Sequence, residues 1–188
     1  MSKPERVWYV AYGSNVNEQR FLRYLNGDEN HVGARDSTPP RRSIWTTAPL
    51  QLRFAGESQR WGGGVCFVDP DPDAVAYVRA WDVTAEQFED VCAQENRRTI
   101  GEPFDWEAVL AGPTVIGESW YAQVLPLKMA AVPAGDLALT FTWTTRFPLN
   151  APAPAYRDTI VSGLLDHPDL TPAQIKAYLD SCIEPAES

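Results

Sequence analysis

The segment Val10-Ala-Tyr-Gly-Ser-Asn-Val-Asn-Glu-Gln-Arg-Phe21 is the most informative stretch of the chain. An apolar run over residues 7–11 predicts a buried strand, and it stops at the turn Gly13-Ser14-Asn15. A polar stretch of helical character follows, and Asn15 is predicted to cap this helix, with Glu18 as the reciprocal partner of a capping box. Backbone N–H groups in such a turn point in one direction and suit a bound carboxylate or oxyanion. The same tripeptide is also common in turns that only connect two elements.

The bulk properties predict one soluble domain covering residues 1–188. A formal net charge of −9 argues against nucleic acid or a membrane surface as the main partner. The first residues are polar and no apolar run reaches membrane-spanning length, so we expect a cytoplasmic protein. Three cysteines without close pairing and two histidines supply little for a zinc site or a catalytic triad, so no metal is expected. The oligomeric state stays open.

The pattern of apolar runs and turn signals predicts an α+β fold. Strands are expected at Val7–Ala11, Leu50–Ala55, Val65–Val68, Ala76–Val83, Val115–Leu125 and Leu137–Trp143. Helices are expected from Thr84 to about Arg97, over Tyr156–Leu165 and from Thr171 onward, while residues 28–49 are expected to form an irregular loop. Together these elements predict a small, mixed, mostly antiparallel sheet that is barrel-like and flanked by helices.

The helix that begins at Thr84 carries one acidic residue on its apolar side. Phe88, Val91 and Cys92 form a stripe with helical spacing, and the next position on that stripe is Glu95. The other acids of this helix are expected to face water, so Glu95 is the one acid predicted to point inward. A carboxylate aimed at an apolar surface must be paired, protonated or facing a cavity, where it can serve as a proton shuttle. The alternative is that the helix ends here and Glu95 frays into solvent or pairs with Arg98.

Several segments, in order along the chain, resemble the γ-glutamylcyclotransferase-like superfamily. They are Tyr12-Gly13-Ser14-Asn15, Leu50-Gln-Leu-Arg-Phe54, Trp61-Gly-Gly-Gly-Val65, Tyr77–Val83 with the helix that ends at Gln94-Glu95, and Pro154-Ala-Tyr-Arg-Asp-Thr-Ile-Val-Ser-Gly163. The resemblance covers most of the chain and is weakest at residues 28–49 and 99–114. It implies a substrate-binding loop formed by Tyr12, Gly13, Ser14, Asn15 and Val16, with Glu95 as the catalytic acid and base.

The resemblance further implies that a γ-glutamyl amide is cleaved by attack of its own α-amine, which forms 5-oxoproline without a cofactor. The expected partner is a small-molecule γ-glutamyl or related amide. The chain departs from the family after Glu95, where Asn96-Arg-Arg-Thr-Ile-Gly101 replaces the usual glycine, and this leaves the substrate open. Two alternatives remain: a hydrolase in which Glu95 activates water against another small amide, and a non-catalytic ligand- or protein-binding domain.

Overall fold

The structure is a computed structural model and describes residues 3–183. Its strands, in chain order, are β1 (Arg6–Ala11), β2 (Arg42–Ala48), β3 (Leu50–Ser58), β4 (Gly63–Pro70), β5 (Ala76–Thr84), β6 (Thr114–Val115), β7 (Gln123–Leu127) and β8 (Ala138–Thr142). Its α-helices are α1 (Glu18–Asn26), α2 (Ala85–Glu95), α3 (Trp106–Ala111), α4 (Pro154–Leu164) and α5 (Pro172–Ile183). A short 3-10 turn, Ser14–Val16, lies between β1 and α1.

Six of the strands form one mixed sheet in the order β2-β5-β1-β8-β7-β6. Strand β1 lies inside this sheet, where it pairs antiparallel with β5 and parallel with β8, while all other pairs are antiparallel. Strands β3 and β4 form a separate hairpin, joined to β8 by the Thr142 hydroxyl, which accepts from the Val68 N–H and donates to the Val68 carbonyl. The α+β, mostly antiparallel prediction is confirmed, but within residues 3–183 the strands do not close into a barrel.

The capping residues explain where the two N-terminal helices begin. Helix α1 is capped by Asn17, whose side chain accepts from the Arg20 N–H at 2.9 Å, so the prediction that Asn15 caps this helix was wrong. The side chain of Asn15 is used elsewhere, as described below. Helix α2 has the predicted capping box, in which Thr84 and Gln87 exchange side-chain and backbone hydrogen bonds. This box fixes the start of the helix that carries Glu95.

The segment over residues 28–49 is more ordered than its composition indicates. The prediction of an irregular loop was wrong for β2, whose residues pair with β5 from Arg42↔Asp82 to Ala48↔Ala76. Strand β2 forms because Ile44-Trp-Thr-Thr47 is rich in β-branched and aromatic residues, which favour a pleated surface. The single strand predicted over 115–125 is instead the antiparallel pair β6 and β7, since residues 116–122 form a turn. Across residues 3–183, no helix has both the length and the apolar character needed to cross a membrane.

Candidate active site

The bend after β1 is packed tightly against β4 and α4. A methyl group at Gly13 would lie 3.0 Å from the Cβ of Cys66 and 3.1 Å from the hydroxyl of Tyr156. Contacts of this kind are shorter than the separation at which carbon atoms normally pack. A side chain here would require Cys66 or Tyr156 to shift by a few tenths of an ångström, so glycine favours the close approach of the bend to β4 and α4.

Glu95 is the last residue of α2, and it faces this bend. Phe88, Val91 and Cys92 are buried on the same stripe, as the helical spacing predicts, while Glu95 is half-buried. The side-chain amide of Asn15 donates from Nδ2 to Oε1 of Glu95 over 3.1 Å. An ionised carboxylate only accepts hydrogen bonds, so the nitrogen of the amide must be the atom that faces it. Two residues separated by 80 positions in sequence thus form one polar contact at the mouth of the bend.

The segment after Glu95 is turned away from the carboxylate. Arg98 donates to Oε2 of Glu102 at 2.9 Å and to the carbonyl of Ile116 at 2.9 Å. Arg97 is exposed, and its φ of 54° lies in the left-handed region, which marks the sharp end of the helix. Helix α2 therefore stops at Glu95, two residues before the predicted end, and the structure does not show the alternative Glu95–Arg98 pair.

A second acid of α2 also points inward. Asp90 is fully buried, so the expectation that it faces water was wrong. It accepts hydrogen bonds from the backbone N–H of Arg35 at 2.8 Å and from Nε of Arg35 at 3.0 Å. Because this carboxylate is paired by a residue from the segment over 28–49, which the sequence analysis treated as a loop, its burial was not foreseen. Asp90 ties that segment to α2 and lines neither cavity of the site.

Asn15 also contacts the hydrophobic core. Its Nδ2 donates to the hydroxyl of Tyr9 at 3.1 Å, and its Oδ1 is buried and has no hydrogen-bond partner within residues 3–183. Asn15 and Glu95 border a small cavity of about 30 Å³, which has room for one water molecule or one polar ligand atom. A buried acceptor without a partner is costly. Because this oxygen is closed off from solvent, a donor group could reach it only if the side chain or its neighbours moved.

Tyrosines form much of the inner wall. Burial raises the pKa of Tyr9, Tyr12 and Tyr156 well above the usual value of 10.0. These hydroxyls are therefore neutral near neutral pH, and they serve as hydrogen-bonding groups only. The hydroxyl of Tyr12 donates to the carbonyl of Phe141 at 2.8 Å, and the hydroxyl of Tyr156 accepts from the backbone N–H of Cys66 at 3.1 Å.

The five residues of the predicted substrate-binding loop do not all occupy equivalent positions. Tyr12, Gly13, Ser14 and Asn15 border the small cavity together with Glu95, and Ser14 also borders a much larger one. Val16 lies in the core, and its backbone N–H donates to the carbonyl of Gly13 at 3.1 Å. That N–H is already engaged, so the amides left to meet a ligand are those earlier in the bend. The binding and catalytic roles of these residues stay predictions.

The larger cavity has a volume of about 1070 Å³ and opens beside Glu95. Four residues of its wall have no functional role predicted from the sequence: Arg20, Tyr24, His31 and Trp61. Arg20 precedes Tyr24 by four positions and therefore lies on the same inward face of α1, which is the signal that would have identified it. His31 follows the helix in an irregular segment, and no periodicity marks it.

No family model matches this chain. The solved structures similar to it include one described as gamma-glutamyl cyclotransferase, with a TM-score of 0.61, 19% identity, and coverage of 98% of this chain and 91% of that one. The chain has a gamma-glutamyl cyclotransferase-like fold. An uncharacterized protein from Homo sapiens shares this fold with a TM-score of 0.59, 19% identity, and coverage of 98% and 92%. YkqA from Bacillus subtilis gives a TM-score of 0.56 at 14% identity, and the match covers 95% of this chain and 55% of that one.

Among curated proteins, the chain is similar to Histone deacetylase 5 from Arabidopsis thaliana. The two are 32% identical over an alignment of 205 residues, which includes 94% of this chain. The chain spans only 31% of the length of that relative. The activity in the relative's name is therefore not carried over to this chain. The cyclotransferase-like fold and the pairing of Glu95 with Asn15 remain the basis for a functional conclusion.

Proposed function

We propose that this protein cleaves a γ-glutamyl amide by intramolecular cyclisation, which releases 5-oxoproline and an amine. The observation that supports this proposal most strongly is the placement of the Glu95 carboxylate against the bend over residues 12–15, with Asn15 holding it at 3.1 Å. The gamma-glutamyl cyclotransferase-like fold adds support, because one of the structures that share it is described as gamma-glutamyl cyclotransferase.

Glu95 is the acid and base in the proposed reaction. Its carboxylate takes a proton from the α-ammonium group of the substrate, and the freed amine attacks the γ-carbonyl carbon. A carbon–nitrogen bond forms to close a five-membered ring, and the original amide bond breaks as Glu95 returns its proton to the departing nitrogen. The ring nitrogen then gives up its second proton through the same carboxylate to the released amine, which leaves as an ammonium ion and leaves 5-oxoproline neutral at its lactam nitrogen. The substrate brings its own nucleophile, so holding the amine and the carbonyl close together supplies much of the rate enhancement.

The remaining groups of the bend suit the charges of this reaction. Backbone N–H groups near Gly13 and Ser14 can hold the developing oxyanion or a carboxylate of the substrate. The neutral hydroxyls of Tyr9 and Tyr12 stay buried and are engaged in hydrogen bonds, so they do not compete with Glu95 as bases. Asn15 fixes one oxygen of the Glu95 carboxylate and leaves the other available for the proton transfers.

The test is to incubate the purified chain with a panel of γ-glutamyl amines and amino acids and to measure 5-oxoproline, free glutamate and free amine. We expect 5-oxoproline, and we expect Glu95→Gln to lower its rate about 10²- to 10⁴-fold, as is usual for the loss of a general acid–base group. Glu86→Gln is the matched control, because Glu86 is on the same helix but outside both cavities.

The products separate the proposal from its alternatives. Free glutamate in place of 5-oxoproline would mean that water is the nucleophile, and the protein would be an amide hydrolase. Saturable binding without any turnover, unchanged by Glu95→Gln, would identify a non-catalytic binding domain. Turnover to 5-oxoproline that survives Glu95→Gln would remove this residue from the mechanism.

A further inference from the structure

A cationic cluster lies on the wall of the large cavity, on the side of α1. Arg20 is only 6% exposed, yet its guanidinium meets neutral groups: Nη1 donates to Nε2 of His31 at 2.9 Å, and Nη2 donates to the hydroxyl of Tyr24 at 3.0 Å. Nε of Arg20 is buried and has no hydrogen-bond partner within residues 3–183. A buried charge normally has an acidic partner, so this arginine has unused capacity to bind an anion.

A second arginine converges on the same point. Arg60 Nη1 lies 3.3 Å from Nε2 of His31, so that nitrogen accepts from two guanidinium groups. The other ring nitrogen of His31 lies 2.7 Å from the carboxylate of Asp28 and donates to it, which fixes the neutral tautomer. Trp61 lies 5.7 Å, measured to its ring centroid, from the Cζ atom of each arginine and holds the two cations on its surface.

Asp28 and Glu95 act on Arg60 through space, but neither carboxylate contacts it directly. Among residues 3–183, neither Arg20 nor Arg60 forms an ion pair with a carboxylate. The acids that line the cavity, namely Glu57, Glu95 and Glu118, are outside ion-pair distance of both arginines. Asp28 is separated from them by the imidazole of His31, and it also lies 3.7 Å from Arg23. Within residues 3–183, two guanidinium groups without a directly bound carboxylate thus lie on the wall of a cavity of about 1070 Å³.

We infer that Arg20 and Arg60 form a binding site for an anionic oxygen group, a carboxylate or a phosphate, of a ligand that occupies the large cavity. His31 positions the two guanidinium groups, because its Nε2 atom lies 2.9 Å from Nη1 of Arg20 and 3.3 Å from Nη1 of Arg60. A planar guanidinium matches the oxygens of either group, because it presents its N–H donors in a fixed fork. This inference goes beyond the proposed reaction, and it holds or fails independently of turnover.

The experiment uses the full chain and simple anions. Sodium phosphate and, separately, sodium acetate are titrated at constant ionic strength against sodium chloride, and the arginine Nε–H signals are followed by ¹H–¹⁵N NMR. Arg20→Lys and Arg60→Lys assign the signals. We expect a saturable shift of the Arg20 Nε–H. Saturation with phosphate alone identifies a phosphate site, saturation with acetate alone a carboxylate site, and saturation with both a general oxyanion site.

Two further variants separate a built site from a general charge effect. Arg60 is exposed, so Arg60→Gln should fold normally, and we expect it to weaken the apparent affinity about tenfold through the loss of a charged donor. Arg97→Gln removes the same charge from another part of the cavity wall and should leave the affinity nearly unchanged. Absence of a saturable shift in both titrations, or equal weakening by the two variants, would overturn the inference.

Discussion

Replacement of Gly163 by alanine tests whether α4 holds the bend in place. In an ordinary helix this change is stabilising by about 1 kcal/mol, because alanine has the higher helix propensity. Here the added Cβ would lie 2.6 Å from the backbone N of Asn17 and 2.8 Å from its Cα, and also 2.8 Å from Cγ2 of Val16. Carbon atoms normally pack at about 3.5–4.0 Å, so α4 and the turn must separate by roughly 1 Å.

The magnitude follows from two opposing effects. Overpacking a well-packed site costs about 1–3 kcal/mol, and the gain in helix propensity offsets about 1 kcal/mol of this. Because the added Cβ would meet backbone atoms of Asn17 at 2.6 and 2.8 Å, the overpacking cost lies in the upper part of this range, at about 2–3 kcal/mol. We therefore expect Gly163→Ala to lower the free energy of unfolding by roughly 1–2 kcal/mol in urea titrations. In this variant the displaced turn Ser14–Val16 would move Asn15 away from Glu95. A displacement of about 1 Å in a catalytic site can lower turnover on the order of 100-fold.

The assay combines urea unfolding with 5-oxoproline release and an NMR measurement of the Asn15 side-chain amide. Gly117→Ala is the control, because its Cβ would meet only Cδ of Arg98, at 4.0 Å, and its φ is not positive. We expect the control to match the wild type. If Gly163→Ala proved as stable as the wild type and its Asn15 amide signal did not move, the argument that α4 sets the position of the bend would be wrong.

Three further predictions follow from individual side chains. Asn15→Ala should lower 5-oxoproline release about tenfold or more, because Glu95 loses a hydrogen bond to its charged form; steady-state kinetics check this, and unchanged kinetics would count against it. Burial lowers the pKa of His31 below its usual 6.5, so its stabilising contribution is complete above that pH and decreases as the pH falls below it. His31→Asn should therefore flatten the fall in unfolding free energy between about pH 7 and about pH 5, and a parallel pair of curves would contradict this. Asp90→Asn should lower the unfolding free energy by roughly 1–3 kcal/mol, because Arg35 loses its buried ionic partner; thermal denaturation checks this, and an unchanged midpoint would refute it.

Local signals were sufficient to predict the elements that carry the bend and the candidate base. The capping box at Thr84 fixed the start of α2, and from that start the helical repeat places Glu95 on the inward stripe. The apolar run before Gly13 is also a local signal, and it predicted β1 because a strand that is buried on both faces has a continuous apolar sequence. These features depend on neighbours within one or two helical turns, so a single sequence contains them.

The features that were missed depend on partners far along the chain. Asp90 is buried because Arg35, 55 positions away, pairs with it, and no pattern within α2 indicates this. Asn15 does not cap α1, because its amide is held by Tyr9 and Glu95 and Asn17 is left to cap the helix. Likewise, sheet closure depends on how strand edges meet in space, which the order of strands along the chain does not determine.

The interior position of β1 has a consequence for how ligands reach the site. Strand β1 is paired with β5 along its length and with β8 at Trp8 and Tyr9, so we expect amide protons in its centre to exchange with solvent only when the sheet opens. The bend at residues 12–15 continues directly from this slowest-exchanging strand and is a poor candidate for a moving gate. The turns at residues 59–61 and 118–120 also border the cavity and lie outside the main sheet. We expect the amide protons of these turns to exchange fastest. Motion of these turns, while the bend at residues 12–15 stays in place, would then set the rate at which ligands enter and leave the cavity.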